Sequence, residues 1–196
     1  MVRRGDRARW GVARASLRIV LAKYLQTDPR LLSFDTESTG KPRLANDAAD
    51  IQFSISHSDS LAMIAVGQGM GIGIDIERFR EVRQMEAIMD DFFSVQERAY
   101  LRSSEGERRT RAFFLLWTRR EAAAKAMGIG LFEAFSRLAL PPHDADESGF
   151  RVELAGGPAD RPVGWWIRDM SPSPDFAGAL CTEHMNADPD LYALQL

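Results

Sequence analysis

Gly71-Ile72-Gly73-Ile74-Asp75-Ile76-Glu77 alternates isoleucine with Gly73, Asp75 and Glu77, a period of two that predicts a β-strand. One face of such a strand packs, and the opposite face carries two carboxylates. Residues two apart on a strand lie roughly 6.5–7 Å from each other and point the same way. Asp75 and Glu77 therefore repel, and each raises the other's pKa unless a cation neutralises them. Asp and Glu are also poor strand formers. The pattern admits two readings: an amphipathic strand whose polar face is wet, or a site built for a metal or a basic partner.

On the N-terminal side, Leu61–Val66 reads as a buried strand, and the glycine-rich segment 67–71 links it to the carboxylate strand. The two are expected to pair antiparallel as a hairpin. Ile51–Ser56 alternates again, with Ile51, Phe53 and Ile55 inward, and runs into Ser56-His57-Ser58, which suits either a capped turn or an anion site. Leu31–Asp35 predicts a short strand, and Gly40-Lys41-Pro42-Arg43 a turn carrying two cations. Residues 6–26 form an amphipathic helix with Trp10, Ala13, Leu17, Val20/Leu21 and Tyr24 on one face. Arg7, Arg14 and Arg18 occupy the other side and read as solvated. Asp28-Pro29 ends the helix, because proline disfavours helical geometry in the residue before it.

On the C-terminal side, Met85, Ile88 and Met89 suggest a short helix within 81–91. Ser94-Val95-Gln96-Glu97 has the spelling of a capping box at the start of a helix over 95–103. That gives Glu97 a structural reading of its own, as a partner for a backbone N–H. In the next helix, 108–127, Phe114, Trp117, Glu121 and Lys125 fall at i, i+3, i+7 and i+11 on one face. A Glu-to-Lys pair at i, i+4 is a common surface feature, but here it shares the stripe of a Phe and a Trp. Burial makes a charge costly unless it is paired or binds a metal, which tips Glu121 and Lys125 toward function. Gly128-Ile129-Gly130 stops the helix. The remainder reads as strands at Phe135–Leu140, Phe150–Leu154, Val163–Asp169 and Phe176–Thr182, with His143 and His184 on the surface.

Composition narrows the class. A chain of 196 residues, 45% hydrophobic and 27% charged, has the balance of a soluble globular protein with one domain or two small lobes. A net charge of −3 gives no global bias toward nucleic acid or membrane. Cys181 is the only cysteine, which excludes an intramolecular disulfide. No apolar run approaches the ~20 residues of a membrane span. Arg14 and Arg18 interrupt the apolar segment that a signal peptide would need after Arg3 and Arg4. A cytoplasmic protein is expected.

Asp75 and Glu77 on a strand, with Glu121 on a helix, make three carboxylates for one hard cation. All-oxygen ligation suits Mg²⁺, which keeps several waters and takes its other ligands from a substrate phosphate. Lys125, one turn beyond Glu121, would neutralise phosphate charge, and His57, Lys41 and Arg43 would extend the positive side of a cleft. That constellation fits phosphoryl-group chemistry on a phosphate-rich substrate.

Three motifs carry a resemblance: Phe53-Ser-Ile-Ser-His-Ser58, Gly73-Ile-Asp-Ile-Glu77 and Trp117-Thr-Arg-Arg-Glu-Ala-Ala-Ala-Lys125-Ala-Met-Gly128. Together with Gly40-Lys41-Pro42 and Phe92-Phe93-Ser94-x-x-Glu97, which fall in the family's order and approximate spacing, they make the chain resemble the large single-chain 4′-phosphopantetheinyl transferases of the surfactin-synthetase-activating class. Two positions differ from the family pattern: Ser54 stands where asparagine is usual, and Arg120 where lysine is usual. The resemblance implies an α+β fold of two similar α/β lobes, each an antiparallel sheet with packed helices, related by a pseudo-two-fold. The lobes would span 1–78 (the coenzyme A side, shortened at the front) and 79–196, with coenzyme A in the cleft between them.

The resemblance further implies Asp75, Glu77 and Glu121 as Mg²⁺ ligands and Lys125 on the phosphates. His57 with Ser56 would bind the 3′-phosphate and diphosphate end, with Lys41 in the same anion pocket. Glu97 would help activate the incoming serine hydroxyl. The implied reaction moves phosphopantetheine from coenzyme A to a serine of an apo acyl or peptidyl carrier protein and releases 3′,5′-ADP. A monomer is expected, with no nucleic-acid or membrane partner. Two other readings compete: a non-catalytic relative that binds coenzyme A or a carrier protein, and a metal-dependent phosphohydrolase or nuclease.

Overall fold

The computed structural model describes residues 4–37, 40–45, 49–141, 149–153, 164–183, 189–190 and 192, with side chains from Gly11 onward. His143 and His184 lie outside the described residues, as does the side chain of Trp10.

The isoleucine-rich stretch forms the strand β5 as expected, although the element labels are best given in chain order. Helix α1 (Arg4–Leu25) precedes the strands β1 (Phe34–Thr36), β2 (Pro42–Leu44), β3 (Ile51–Ser58), β4 (Leu61–Gln68) and β5 (Ile72–Arg78). Four helices follow, α2 (Met85–Phe92), α3 (Val95–Arg102), α4 (Gly106–Met127) and α5 (Leu131–Arg137), then strands β6 (Phe150–Val152), β7 (Trp165–Asp169) and β8 (Phe176–Thr182). The result is a mixed helix and antiparallel-sheet fold. It holds three sheets among the described residues: β1–β2, β3–β4, and a four-stranded sheet in the order β5-β8-β7-β6.

The expected hairpin between residues 61–66 and β5 is not formed. β4 pairs with β3, Ser58 opposite Leu61, across the two-residue turn Asp59-Ser60. Asp59 there takes the positive φ of 50° that tight hairpins require. β5 pairs instead with β8, with Ile74 opposite Leu180 and Glu77 opposite Ala177. β8 is buried at every residue, so it needs a strand on each edge, and β5 and β7 supply them. β4 is half-exposed along most of its length rather than buried.

The expected strand at Phe135–Leu140 is also corrected. Residues 131–137 are helical, because Leu131, Ala134, Phe135 and Leu138 recur at i, i+3, i+4 and i+7. Ala134, Phe135 and Leu138 are buried on that stripe. In α1 the buried stripe is Ala13, Leu17 and Leu21 and continues through Ala22, while Tyr24 faces solvent. Arg18 is not simply solvated: its guanidinium donates to the carbonyls of Pro29 (2.9 Å) and Leu32 (2.8 Å) and lies over the Phe34 ring. It thereby ties the helix to the turn after it.

Two hydrophobic clusters dominate. One gathers Leu17, Leu21, Leu32, Leu44 and Phe53 under α1; the larger surrounds α4 and includes Phe93, Phe113, Phe114, Leu116, Ile167 and Ala179. Trp117 stacks on Phe113 and meets Phe92 and Phe135 edge-on or tilted. α4 ends where predicted, at Gly128 with φ of +64°. Among the described residues, no helix is long and apolar enough to cross a membrane.

Candidate active site

α4 lies directly on β5 because Gly73 has no side chain. A Cβ at that position would stand 2.0 Å from the Ala122 carbonyl oxygen and 2.5 Å from the Ala126 amide nitrogen. The helix answers with Ala122, Ala123 and Ala126, all buried. Glu121 and Lys125 are the polar residues beside those alanines, and the close approach carries them to the carboxylate face of the strand.

The Lys125 ammonium donates to Asp75 Oδ1 at 2.7 Å and to the Ile74 carbonyl at 3.2 Å. It stands 3.7 Å from Glu121 Oε2. Asp75 is 3% exposed, and Ser56 Oγ donates a second bond to its Oδ1 at 2.7 Å. Its other oxygen, Oδ2, is buried without a hydrogen-bond partner. Glu77 lies one rung further toward solvent, where Ser58 Oγ and the Arg80 guanidinium each donate to Oε2 at 2.7 Å.

Burial pushes the Asp75 carboxyl above its ordinary range; Lys125 and Ser56 oppose the shift and Glu77 adds to it. Burial likewise raises Glu121, and the Asp75 charge raises it further, against the pull of Lys125. Three acids thus feel one another against only the Lys125 ammonium and the Arg80 guanidinium on Glu77, and one buried carboxylate oxygen lacks a partner. A divalent cation fits that deficit of positive charge. Among the described residues, no group of three or more His, Cys, Asp or Glu side chains is arranged to hold a metal ion. An open set matches Mg²⁺, which is commonly held by one or two carboxylates plus water and substrate phosphate.

Lys41 donates from Nζ to the Ile72 carbonyl at 3.0 Å, and burial holds its pKa below the usual lysine range. It lines a cavity of about 250 Å³ with Phe53, Glu121, Lys125 and Ile129, so two ammonium groups face a space whose walls are largely apolar. Other expected residues lie elsewhere. Arg43 is on the surface of the β1–β2 ribbon, where Asp35 is its cross-strand neighbour and ion-pair partner at 3.2 Å. Ser56 turns toward β5 and bonds Asp75, whereas His57 occupies the opposite, exposed face of β3.

Glu97 is fully buried and closes the capping box with Ser94, whose N–H donates to Glu97 Oε2 at 2.8 Å. Arg120, also fully buried, pairs with both of its oxygens and lies over the rings of Phe93 and Phe135. None of the Glu97 bonds reaches Asp75, Glu121 or Lys125. The capping box expected for this residue is formed. Sequence reasoning did not single out Gly73 or Ser58. The signals were present, in a glycine inside an otherwise apolar strand and in serines at the alternate positions 54, 56 and 58.

A family model described as the 4′-phosphopantetheinyl transferase superfamily matches residues 71–181, more than half of the chain. The chain is 39% identical over 189 residues to the 4′-phosphopantetheinyl transferase HetI of Nostoc, covering 95% of this chain and 75% of that protein. It is 27% identical over 175 residues to the 4′-phosphopantetheinyl transferase Sfp of Bacillus subtilis, covering 89% and 74%. It is 32% identical over 121 residues to the 4′-phosphopantetheinyl transferase AcpT of Salmonella typhimurium, covering 60% and 61%. With β5, α4 and all but the last residue of β8 inside the matched region, the chain belongs to the 4′-phosphopantetheinyl transferase superfamily.

Proposed function

We propose that this enzyme transfers the 4′-phosphopantetheine arm of coenzyme A to a serine hydroxyl of an apo acyl or peptidyl carrier protein, releasing 3′,5′-ADP, with Mg²⁺ as cofactor. The observation that carries the reading is the contact of α4 with β5, which sets Lys125 and Glu121 against Asp75 and leaves Asp75 Oδ2 without a partner. Asp75, Glu77 and Glu121 would hold the cation, which when bound supplies charge neutralisation for the diphosphate and the phosphoryl group in flight. In the reaction, the serine oxygen forms a bond to the β-phosphorus as its hydroxyl proton is lost to solvent, and the bond from that phosphorus to the bridging oxygen of 3′,5′-ADP breaks.

Lys125 is placed to donate to phosphate oxygens as charge builds on them, since two of its present partners, Asp75 and Glu121, are carboxylates that a cation would draw away. Lys41 faces the same cavity and supplies a second ammonium for an anionic end. The apolar walls at Phe53 and Ile129 keep water from competing for the phosphoryl group. Arg120 and Glu97 act behind the site by fixing α3 to α4. His57, on the exposed face of β3, is assigned to the 3′-phosphate in this reading. The reading includes a division into pseudo-two-fold-related lobes spanning 1–78 and 79–196 with coenzyme A between them; β5 is bonded to both sides, and a third cluster of Ile72, Ile74 and Leu180 joins them. A cytoplasmic monomer completes the reading.

Mass spectrometry of apo carrier proteins incubated with coenzyme A, with and without Mg²⁺, tests it. A Mg²⁺-dependent gain of the phosphopantetheine mass is the expected result. Coenzyme A binding without transfer would favour a non-catalytic relative, and hydrolysis without an acceptor a phosphohydrolase.

A further inference from the structure

We propose that Ser56 and Ser58 are positioning residues: they form rungs of a side-chain ladder that fixes the carboxylates of Asp75 and Glu77 for the cation. The proposal rests on the metal reading above and adds to it the device that aims the ligands.

One edge of β5 is bonded to β8. Its other edge faces β3, whose own backbone is bonded to β4, and no backbone ladder joins β3 to β5. Serine hydroxyls stand in for the missing carbonyls. The amides of Ile74, Ile76 and Arg78 donate to the hydroxyls of Ser54 (3.1 Å), Ser56 (3.3 Å) and Ser58 (3.0 Å), at a constant separation of 20 residues. β3 therefore runs alongside β5 in the same direction, in a fixed register.

A serine hydroxyl has one proton to give and two lone pairs to receive with. An amide N–H can only donate and an ionised carboxylate can only accept, so the direction of each bond is settled. At Ser56 a lone pair takes the Ile76 amide, and the proton goes to Asp75 Oδ1 at 2.7 Å. At Ser58 a lone pair takes the Arg78 amide, and the proton goes to Glu77 Oε2 at 2.7 Å. Each hydroxyl thus links a carboxylate to the backbone of its own strand and holds it in one rotamer. With Ser56 and Lys125 both on Oδ1, Oδ2 of Asp75 keeps its lone pairs free for a cation.

The third rung is a built-in control. Ser54 takes the Ile74 amide in the same way, but the residue that corresponds to Asp75 and Glu77 there is Gly73, which has no side chain to hold. A ladder that served stability alone would make the three serines equivalent. A positioning ladder separates Ser54 from the other two.

The test compares Ser54→Ala, Ser56→Ala and Ser58→Ala in the full chain. The readouts are amide hydrogen exchange, thermal unfolding, and binding of Mn²⁺ followed by electron paramagnetic resonance. Each variant is expected to lose protection at its own amide (Ile74, Ile76 or Arg78). Only Ser56→Ala and Ser58→Ala are expected to weaken Mn²⁺ binding, by about 10-fold, the usual scale for removing a group that orients a metal ligand. Ser56→Thr, which keeps the hydroxyl, should restore it. If Ser56→Ala does not fold, Ser58→Ala still decides, because Glu77 lies at the margin with its side chain 23% exposed. Asp75→Asn separates the two levels. Unchanged Mn²⁺ binding in Asp75→Asn would overturn the metal reading itself. Loss there, with Ser56→Ala and Ser58→Ala binding as Ser54→Ala does, would overturn the positioning role alone.

Discussion

Gly73→Ala is the sharpest perturbation the structure offers, because one methyl group would separate the helix from the strand that share the candidate active site. The added Cβ would lie 2.0 Å from the Ala122 oxygen, whereas side-chain Cβ atoms essentially never approach within 3.0 Å, so α4 must lift by about 1 Å. Neither neighbour yields, since both contacts are backbone atoms inside a helix. Overpacking of this kind costs about 1–3 kcal/mol of stability. The chemical consequence is larger. If α4 lifts straight off the sheet, the 2.7 Å contact from Lys125 to Asp75 opens to about 3.7 Å, beyond hydrogen-bond range. Misplacing a positioned group by about 1 Å costs on the order of 10²-fold in rate.

The assay pairs urea unfolding with steady-state transfer to an apo carrier protein, each measured beside Gly11→Ala. Gly11 lies in α1 with nothing within 4 Å of a built Cβ, so alanine there should stabilise the helix by about 0.5–1 kcal/mol and leave transfer unchanged. A Gly73→Ala enzyme as stable as wild type and within twofold of its rate would refute the argument that this glycine sets the spacing of the site.

Lys125→Ala should lower turnover by about 10²-fold while changing the Mg²⁺ affinity seen by isothermal titration far less; the reverse pattern would remove Lys125 from the phosphates. Glu97→Gln should cost about 3–5 kcal/mol, because it leaves the buried Arg120 charge uncompensated, with the rate per folded molecule within a few-fold of wild type. Urea melts and active-site-normalised kinetics check it, and a stable but inactive protein would return Glu97 to the chemistry. The raised pKa of Glu121 predicts a pH dependence in metal-free protein. Because the folded value lies above the ordinary 4.5, its contribution to stability is fully present below that pH and is lost as pH rises through the folded value. Wild type should therefore lose stability relative to Glu121→Gln as pH rises above 4.5 in EDTA, and a pH-independent difference would contradict the burial of this carboxylate.

What was legible in the sequence was local, and what was not depended on partners far along the chain. The period of two in residues 72–77 and the helical stripe from Phe114 to Lys125 follow from side-chain direction alone, and both elements are as expected. The capping box at Ser94 and Glu97 needs only three residues of context, and both of its bonds are formed. By contrast, the strand partner of β5 was set by the Asp59-Ser60 turn, which claimed β4 for β3, and by a buried β8 about a hundred residues later. Residues 135–140 alternate well enough to read as a strand, and only the preceding Leu131 and Ala134 turn the same apolar set into a helix face. Arg43 looked available because its cross-strand partner Asp35 was hidden by the turn between them.

Asp75 shows why the site needed both kinds of information. Its placement on a polar face was readable from its immediate neighbours, but its surroundings come from Ser56, 19 residues before it, and Lys125, 50 residues after it. Neither separation has a local signature. They meet because Gly73 admits the helix on one side of the strand and serines at alternate positions grip its free edge on the other. The acidic pair is consequently held by two independent devices, and each can be removed by a substitution that leaves the carboxylates themselves in the chain. Should the two kinds of substitution act on metal affinity and on rate in the same proportion, the helix and the ladder would be one mechanical unit. Should they separate, with the ladder moving affinity and the helix moving rate, the site would divide into ligand aiming by β3 and charge delivery by α4.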